Sequence, residues 1–399
     1  MKSIFYMLTI LFLSLLIACS EEPPTNVEIE SLSKKPKPPD PPPALEIYEG
    51  DVHIISVVRE LKRGKYTESF RMWTYPYTAD PQIRELKGTQ TKVAIYNYIE
   101  DEDSPGDELL VYNYYKTGNG RNAVEHFELQ IWEHGNIEIP SLVFDLEGFL
   151  YLDIAIGELD DNYAGDEIVL GGFNMLGYPE IRIFNPNFGD FNNPIKSFNV
   201  GAYGPLGRPV IIGDVAGDAD NEIIFDPTRR GLVVLDYNLG VVGTYTTPNN
   251  EQLNEIAVAY VEGEGLDEII WGGNSGEIHI LEFDGADFTE KWKSENLGGK
   301  IWSLTAGDFD GDSEYEIAVS IGDPSTIYVF ESSDYSKTLI ETISEGVIAM
   351  FAGNANNDPA TKKNFVVGTR TSVKAYDGSS GYTSINLDVG ALVPEVYIK

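Results

Sequence analysis

The sequence predicts an all-β protein built as a ring of about seven similar units, a β-propeller, and three observations lead there. A cluster of acidic or amide side chains runs directly into a short apolar strand six times along the chain. The copies recur at intervals close to fifty residues. After residue 45, helical periodicity with capping residues is hard to find.

The period comes from aligning the residue that precedes each apolar strand. Glu108, Glu167, Glu222, Glu268, Glu316 and Asn364 lead into Leu109-Leu110-Val111, Ile168-Val169-Leu170, Ile223-Ile224-Phe225, Ile269-Ile270-Trp271, Ile317-Ala318-Val319 and Phe365-Val366-Val367. Successive spacings are 59, 55, 46, 48 and 48 residues. Each unit carries a later strand, such as the segments 276–281 and 326–330. The pairs Gly171-Gly172 and Gly272-Gly273 are expected in tight turns between the two strands. Residues 46–399 number 354, which at this period makes seven blades of four antiparallel strands. Residues 52–58 and 69–75 read as strands of an incomplete first blade, and residues 393–398 as a strand with nothing after it. Pairing these ends would close the ring and hide two open sheet edges.

The clearest acidic copy is Asp308-Phe309-Asp310-Gly311-Asp312-Ser313-Glu314-Tyr315-Glu316. Oxygen side chains stand at its first, third, fifth and ninth positions, and Gly311 lets the chain fold back. A loop of this kind can wrap a hard cation, and Ca²⁺ takes six to eight oxygen ligands in a flexible shell. An EF-hand fits poorly, because it needs a bidentate Glu at position twelve and flanking helices. The string Gly307-Asp308-Phe309-Asp310-Gly311-Asp312 followed by Glu316-Ile317 resembles the FG-GAP and VCBS repeats of integrin-type β-propellers. The resemblance spans roughly residues 90–380 and implies a Ca²⁺ loop between the first two strands of a blade. Carried onto this chain, it implies Asp308, Asp310, Asp312 and Glu316 as side-chain ligands, with Glu314 giving its backbone carbonyl.

The remaining copies keep less of the pattern. Asp214, Asp218 and Glu222 hold positions one, five and nine of the loop 214–222, with Asp220 at the carbonyl position and Ala216 at position three. Glu158, Asp160 and Asn162 need one extra residue to reach Glu167. In residues 260–268, Tyr260 takes position one and Glu262, Glu264 and Glu268 follow. Glu100, Glu102, Ser104 and Glu108 fit loosely, and Asn354, Asn356 and Asp358 begin a last copy that diverges. Ca²⁺ is expected first at 308–316 and next at 214–222. The plainer reading of every copy is an acidic surface turn that holds no metal.

Met1-Lys2, the apolar run from Ile4 to Ile17 and Leu16-Ile17-Ala18-Cys19 have the anatomy of a secretory signal too short for a comfortable membrane span. The last four residues resemble the lipobox of bacterial lipoproteins, in which cleavage precedes an acylated Cys. Cys19 is the only cysteine in the chain. Residues 1–18 are therefore expected to be a signal peptide, 19–45 a lipidated Cys with a Pro-rich tether, and 46–399 the propeller. Multiple acyl chains would anchor the protein stably in a membrane. Ser20 after Cys19 resembles an outer-membrane address. Eight of the 22 prolines lie in residues 20–45, which favours an extended spacer.

The formal net charge is −36, and a chain this acidic repels phosphate backbones, so no nucleic-acid partner is expected. His53, His126, His134 and His279 form no HExxH pair, and no GxSxG elbow is present. His279 alternates with Ile278 and Ile280 and reads as a position on one sheet face. These features favour a non-enzymatic, Ca²⁺-stabilised binding or adhesion module for a protein or glycan, anchored at the outer membrane through Cys19. Two alternatives are a polysaccharide-cleaving lyase or hydrolase with its carboxylates hidden among the acidic loops, and an outer-membrane assembly scaffold.

Overall fold

The computed structural model describes residues 53–398 apart from 64, 75–76, 87–89, 97–107, 119–122, 133–139, 141, 147–148, 160–165, 175, 177, 186–192, 201–209, 218–219, 228–229, 262–265 and 354–363. The chain divides into two units, 1–47 and 48–399, and all described residues belong to the second. The signal, Cys19 and the whole tether lie outside the described residues.

Seven antiparallel four-stranded sheets make up the second unit. The first joins Leu392–Ile398 to His53–Lys62, Lys65–Thr74 and Gln82–Leu86. The second holds Gln90–Tyr96, Glu108–Thr117, Val124–Trp132 and Leu142–Asp145, and the third Phe149–Gly157, Glu167–Asn174, Pro179–Phe184 and Lys196–Asn199. The fourth contains Val210–Gly213, Glu222–Phe225, Gly231–Leu235 and Val241–Thr246. The fifth contains Leu253–Ala259, Glu268–Gly273, Ile278–Phe283 and Phe288–Lys293. The sixth runs through Ile301–Gly307, Glu316–Ile321, Ser325–Phe330 and Lys337–Ile343, and the seventh through Val347–Gly353, Asn364–Thr369, Ser372–Asp377 and Thr383–Asp388. This is the seven-bladed propeller that the repeat period predicts.

Burial explains why the second strand of each unit reads as an unbroken apolar run. Every residue of Glu268–Gly273 and of Glu316–Ile321 is buried, because neighbouring blades cover both faces of the sheet. Outer strands such as Thr383–Asp388 are largely exposed and polar. Each hydrophobic cluster is shared by two consecutive blades. One contains Ile317 and Ile270 from the sixth and fifth blades, another Val329 and Phe365 from the sixth and seventh. The cluster of Ile54, Val366 and Val393 joins the seventh blade to the first. The ring closes through the strand Leu392–Ile398, with Ile54 opposite Ile398 and Val57 opposite Glu395.

One local expectation is corrected. Gly171-Gly172 and Gly272-Gly273 lie inside strands, not in turns. At Gly272 a Cβ would stand 2.6 Å from Cγ2 of Ile301, so the first strand of the next blade packs against bare backbone there. Because the strands alternate in direction, connections leave the ring at two faces. The first-to-second and third-to-fourth connections share one face, which carries the acidic loops. The second-to-third and blade-to-blade connections share the opposite face.

Candidate metal centre

The loop 308–315 joins the first two strands of the sixth blade, where Gly307 and Glu316 are paired partners. Phe309 is fully buried and sends its ring between the sixth and seventh blades, 5.1 Å from that of Phe365. Its N–H donates to Oε2 of Glu316 at 2.6 Å. The same clasp recurs in three other blades. Leu159, Val215 and Val261 are each buried, and their N–H groups donate to Glu167, Glu222 and Glu268 at 2.9 Å. The acid leading each strand therefore ties the loop's entrance to its exit, with or without a cation. The sequence signal for this clasp is the apolar residue seven or eight places before the Glu, which the acidic spacing alone does not single out.

Three of the predicted ligands converge. One donor oxygen each from Asp308, Asp310 and Glu316 lies within 4.8 Å of the other two. Asp308 is 7% exposed; its Oδ1 accepts from the N–H of Gly311 at 2.6 Å, and its Oδ2 from that of Ser313 at 3.2 Å. Asp310 and Asp312 accept from the N–H groups of Asp312 and Glu314 at 3.1 and 2.8 Å. Such Asx turns fold a short loop without regular structure. Gly311 and Ser313 adopt φ of 85° and 79°, which fits the glycine and strains the serine. Asp312 stands outside the three-residue group, and the carboxylate of Glu314 accepts from Ser332 Oγ at 3.1 Å.

The site carries excess negative charge. Burial, reinforced by the charges of Asp310 and Glu331, pushes the Glu316 carboxyl up to about 8 against the pull of the Phe309 N–H bond. Glu331 is raised by burial and then by Asp310 and Asp312. The Tyr382 phenol is held above its usual range by burial and by Glu316 and Glu331. None of Asp308, Asp310, Asp312, Glu316 and Glu331 forms an ion pair among the described residues. Glu331 was not legible from loop spacing. It follows Phe330, whose partner Ile317 comes directly after Glu316, so only the strand register brings it to the site. The donor set is all oxygen, which suits Ca²⁺.

The other copies resolve their buried acid differently. In the third blade, Asn185 holds the register position of Glu331, and its Nδ2 donates to Glu167 Oε1 at 3.0 Å. In the fifth, Glu282 holds that position, and Lys291 Nζ lies 3.1 Å from Glu268 and 3.3 Å from Glu282. An ammonium thus sits beside the paired carboxylates of that blade. In the fourth, Glu222 Oε2 accepts from both Val215 and Ala216, Asp214 accepts from Gly217, and Gly217 has a φ of 82° like Gly311. Asp214, Asp220 and Glu222 do not form a converging group among the described residues, and Asp218 lies outside them. The acids expected at 100–104, 160–162, 262–264 and 354–358 also lie outside the described residues, whereas Glu158 and Asn364 are described. Asn364, at position nine of the last copy, is 2% exposed.

On the opposite face a cleft of about 220 Å³ opens between the sixth and seventh blades, lined by Trp302, Asp323, Val347 and Arg370 among others. Trp302 is 42% exposed, and Lys300 Nζ stands 3.9 Å from its ring centroid. Arg370 grips Asp323 through its two terminal guanidinium nitrogens, at 2.5 and 3.2 Å.

No family model matches the sequence, and no curated protein matches it. Solved structures do match the fold. The crystal structure of BBS1N in complex with ARL6DN, soaked with mercury, is 14% identical, with 84% of this chain and 93% of that chain covered at a TM-score of 0.52. The lead-soaked form of that complex gives 14% identity, 83% and 91% coverage and a TM-score of 0.52. Sqt1 of Chaetomium thermophilum, bound to the N-terminus of ribosomal protein L10, gives 14% identity, 85% and 88% coverage and a TM-score of 0.47. At these identities the likeness is one of fold.

Proposed function

We propose that this propeller is a binding module of the bacterial cell envelope, stabilised by Ca²⁺, tethered to the outer membrane through Cys19 and addressed to a protein or glycan partner. The observation that carries the binding reading is the cleft beside Trp302. An exposed aromatic ring flanked by Lys300 and the Arg370–Asp323 pair offers apolar area with polar groups at its edge. BBS1N, a propeller of similar fold, is seen in complex with ARL6DN, which supports the reading by analogy of fold only. Crosslinking capture from intact cells and a glycan array, each run with the parent and with Trp302→Ala, test it. A partner or glycan retained by the parent and lost by the variant at unchanged melting temperature is the expected result. Turnover of an anionic polysaccharide would overturn it in favour of an enzyme.

The Ca²⁺ reading rests on the convergence of Asp308, Asp310 and Glu316 around uncompensated charge, and it extends the resemblance to FG-GAP and VCBS repeats. Asp312 and the Glu314 carbonyl would complete the shell, and Asp214, Asp218, Asp220 and Glu222 would form a weaker second site. Extracellular Ca²⁺ modules bind near 10⁻⁴–10⁻³ M, so millimolar Ca²⁺ is needed. At ten times such a constant the folded state gains about 1.4 kcal/mol per site. Melting curves in EDTA, Ca²⁺ and Mg²⁺ should show a rise with Ca²⁺ only, largely removed in Asp310→Ala. Identical parent curves in EDTA and in millimolar Ca²⁺ would leave the loop as an acidic turn. For the anchor, Cys19→Ser should abolish palmitate labelling and release the protein from the membrane fraction; a variant that still labels contradicts lipidation.

A further inference from the structure

The fifth blade carries a second cluster, on the face away from the acidic loops and unrelated to their repeat. Glu251 precedes the first strand of that blade, Glu277 precedes the third, and His279 is the second residue of the third. A donor atom of each lies within 4.8 Å of the other two. His279 is 1% exposed, and its ring stacks on Trp271 at 3.8 Å with the planes 2° apart, so the imidazole cannot swing. Nδ1 is 2.6 Å from Oε2 of Glu290, on the outer strand. A carboxylate only accepts, so Nδ1 is the donor, and in the neutral ring Nε2 keeps its lone pair. That Nε2 is buried and has no hydrogen-bond partner. Burying such an atom without a partner costs free energy unless something else occupies it.

The sheet order places the imidazole between its neighbours. Glu290 lies on the outer side, whereas Glu251 sits at the entrance to the innermost strand. With Nδ1 turned outward, Nε2 faces the inner side. Glu251 is held in place there: its Oε1 accepts from the N–H of Ser275 at 2.7 Å, and it lies where a Cβ on Gly273 would come within 2.5 Å of it. Glu277 is steadied by Lys293 Nζ at 3.3 Å from its Oε1. Both glutamates are only half-buried, so a solvated ion can reach them while the histidine stays dry.

We infer that His279, Glu251 and Glu277 form a binding site for a divalent transition cation of the Zn²⁺ class, distinct from the all-oxygen Ca²⁺ loop. The donor set is one imidazole and two carboxylates, a combination that suits Zn²⁺ and is poor for Ca²⁺. A carboxylate accepting from the far nitrogen of a ligating histidine is the usual outer partner of such a metal, which is the place Glu290 fills. Tetrahedral coordination at Zn–N and Zn–O distances near 2.0–2.2 Å needs donors about 3.4 Å apart. Small rotations of the two half-exposed glutamates close that gap, while the histidine already has its orientation.

Titration of the full chain with ZnCl₂ in millimolar Ca²⁺, followed by calorimetry and by the visible bands of Co²⁺ in place of Zn²⁺, tests the site. One tight site with a tetrahedral Co²⁺ spectrum is expected. Glu251→Gln and Glu277→Gln should each weaken Zn²⁺ binding at least tenfold, and Glu290→Gln by about 10–100-fold, as for an outer partner. His279→Gln should abolish binding; should it fail to fold, the two half-buried glutamate variants decide. Absence of Zn²⁺ binding, or binding unchanged in both glutamate variants, overturns the inference. So does binding that disappears in Asp310→Ala, since that places the ion in the acidic loop. The Ca²⁺ reading stands or falls separately, by the Ca²⁺ response of the parent in metal-free buffer.

Discussion

The fifth and sixth blades carry the same strand register and the same backbone clasp, yet they treat a buried acid in opposite ways. In the fifth, Glu268 and Glu282 share the ammonium of Lys291. In the sixth, Glu316 and Glu331 occupy the same two register positions, and Asp308 and Asp310 crowd the same space with no ion pair among the described residues. A blade can therefore neutralise its junction from within its own sheet or leave the charge open for an ion. The charge left open at a junction follows less from its count of acids than from whether a lysine or amide stands across the sheet. In the fifth blade Lys291 compensates Glu268, and in the third Asn185 donates to Glu167.

The comparison is broken most forcefully at the apolar anchor. Phe309→Ala should cost about 3–5 kcal/mol in urea unfolding, because the ring fills the seam against Phe365. Val261→Ala should cost clearly less, having fewer atoms to lose. Equal losses would mean that the two loops are anchored alike and that the aromatic contact adds nothing.

The second effect is in the pH dependence without metal. Glu316 is raised to about 8 from 4.5, so its contribution to stability is fully present below pH 4.5 and is lost as pH rises through 8. In EDTA the parent should lose on the order of 2 kcal/mol across that window, once water entry into the loop is allowed for. Glu316→Gln should flatten the slope, and Ca²⁺ should flatten it in the parent. A parent slope identical to that of the variant would show that Glu316 is ionised at no cost.

The smallest effect sharpens the fifth-blade side. Lys291→Ala leaves Glu268 without its ammonium and should cost about 1–2 kcal/mol near neutral pH. Millimolar Ca²⁺ should not restore this loss, because Tyr260 occupies position one of that loop. Restoration by Ca²⁺ would mean that the lysine alone separates the two blades.

The ring and its number of blades were legible because a fifty-residue period leaves few other architectures, and residues 393–398 had no partner except the N-terminal strands. The glycine pairs were misread because glycine marks both a turn and a close approach. Nothing local at Gly272 reveals that Ile301, 29 residues on, presses against it. In the sixth-blade loop, the convergence of Asp308, Asp310 and Glu316 was legible from spacing. Glu331 and Lys291 were not, since their relevance depends on which residues face each other across strands. His279 read as one position on a sheet face, which it is. Its pairing with Glu290 depends on a bulge between Ile280 and Leu281 that shifts the outer strand by one residue.

The first blade draws strands from both ends of the described chain, and Val57 finds Glu395 across 338 residues of sequence. A contact so distant is entropically late, so six blades can be in place while the seventh interface is still missing. Until the strand Leu392–Ile398 docks, His53–Lys62 presents a bare edge and the apolar side of the seventh blade faces water, the condition in which strands pair with the wrong chain. The same arrangement makes the junction a mechanical latch. A pull applied between the start of the strand His53–Lys62 and the end of Leu392–Ile398 loads the hydrogen bonds of this one ladder before any other, and resistance to tension would be set there and not by the acidic loops.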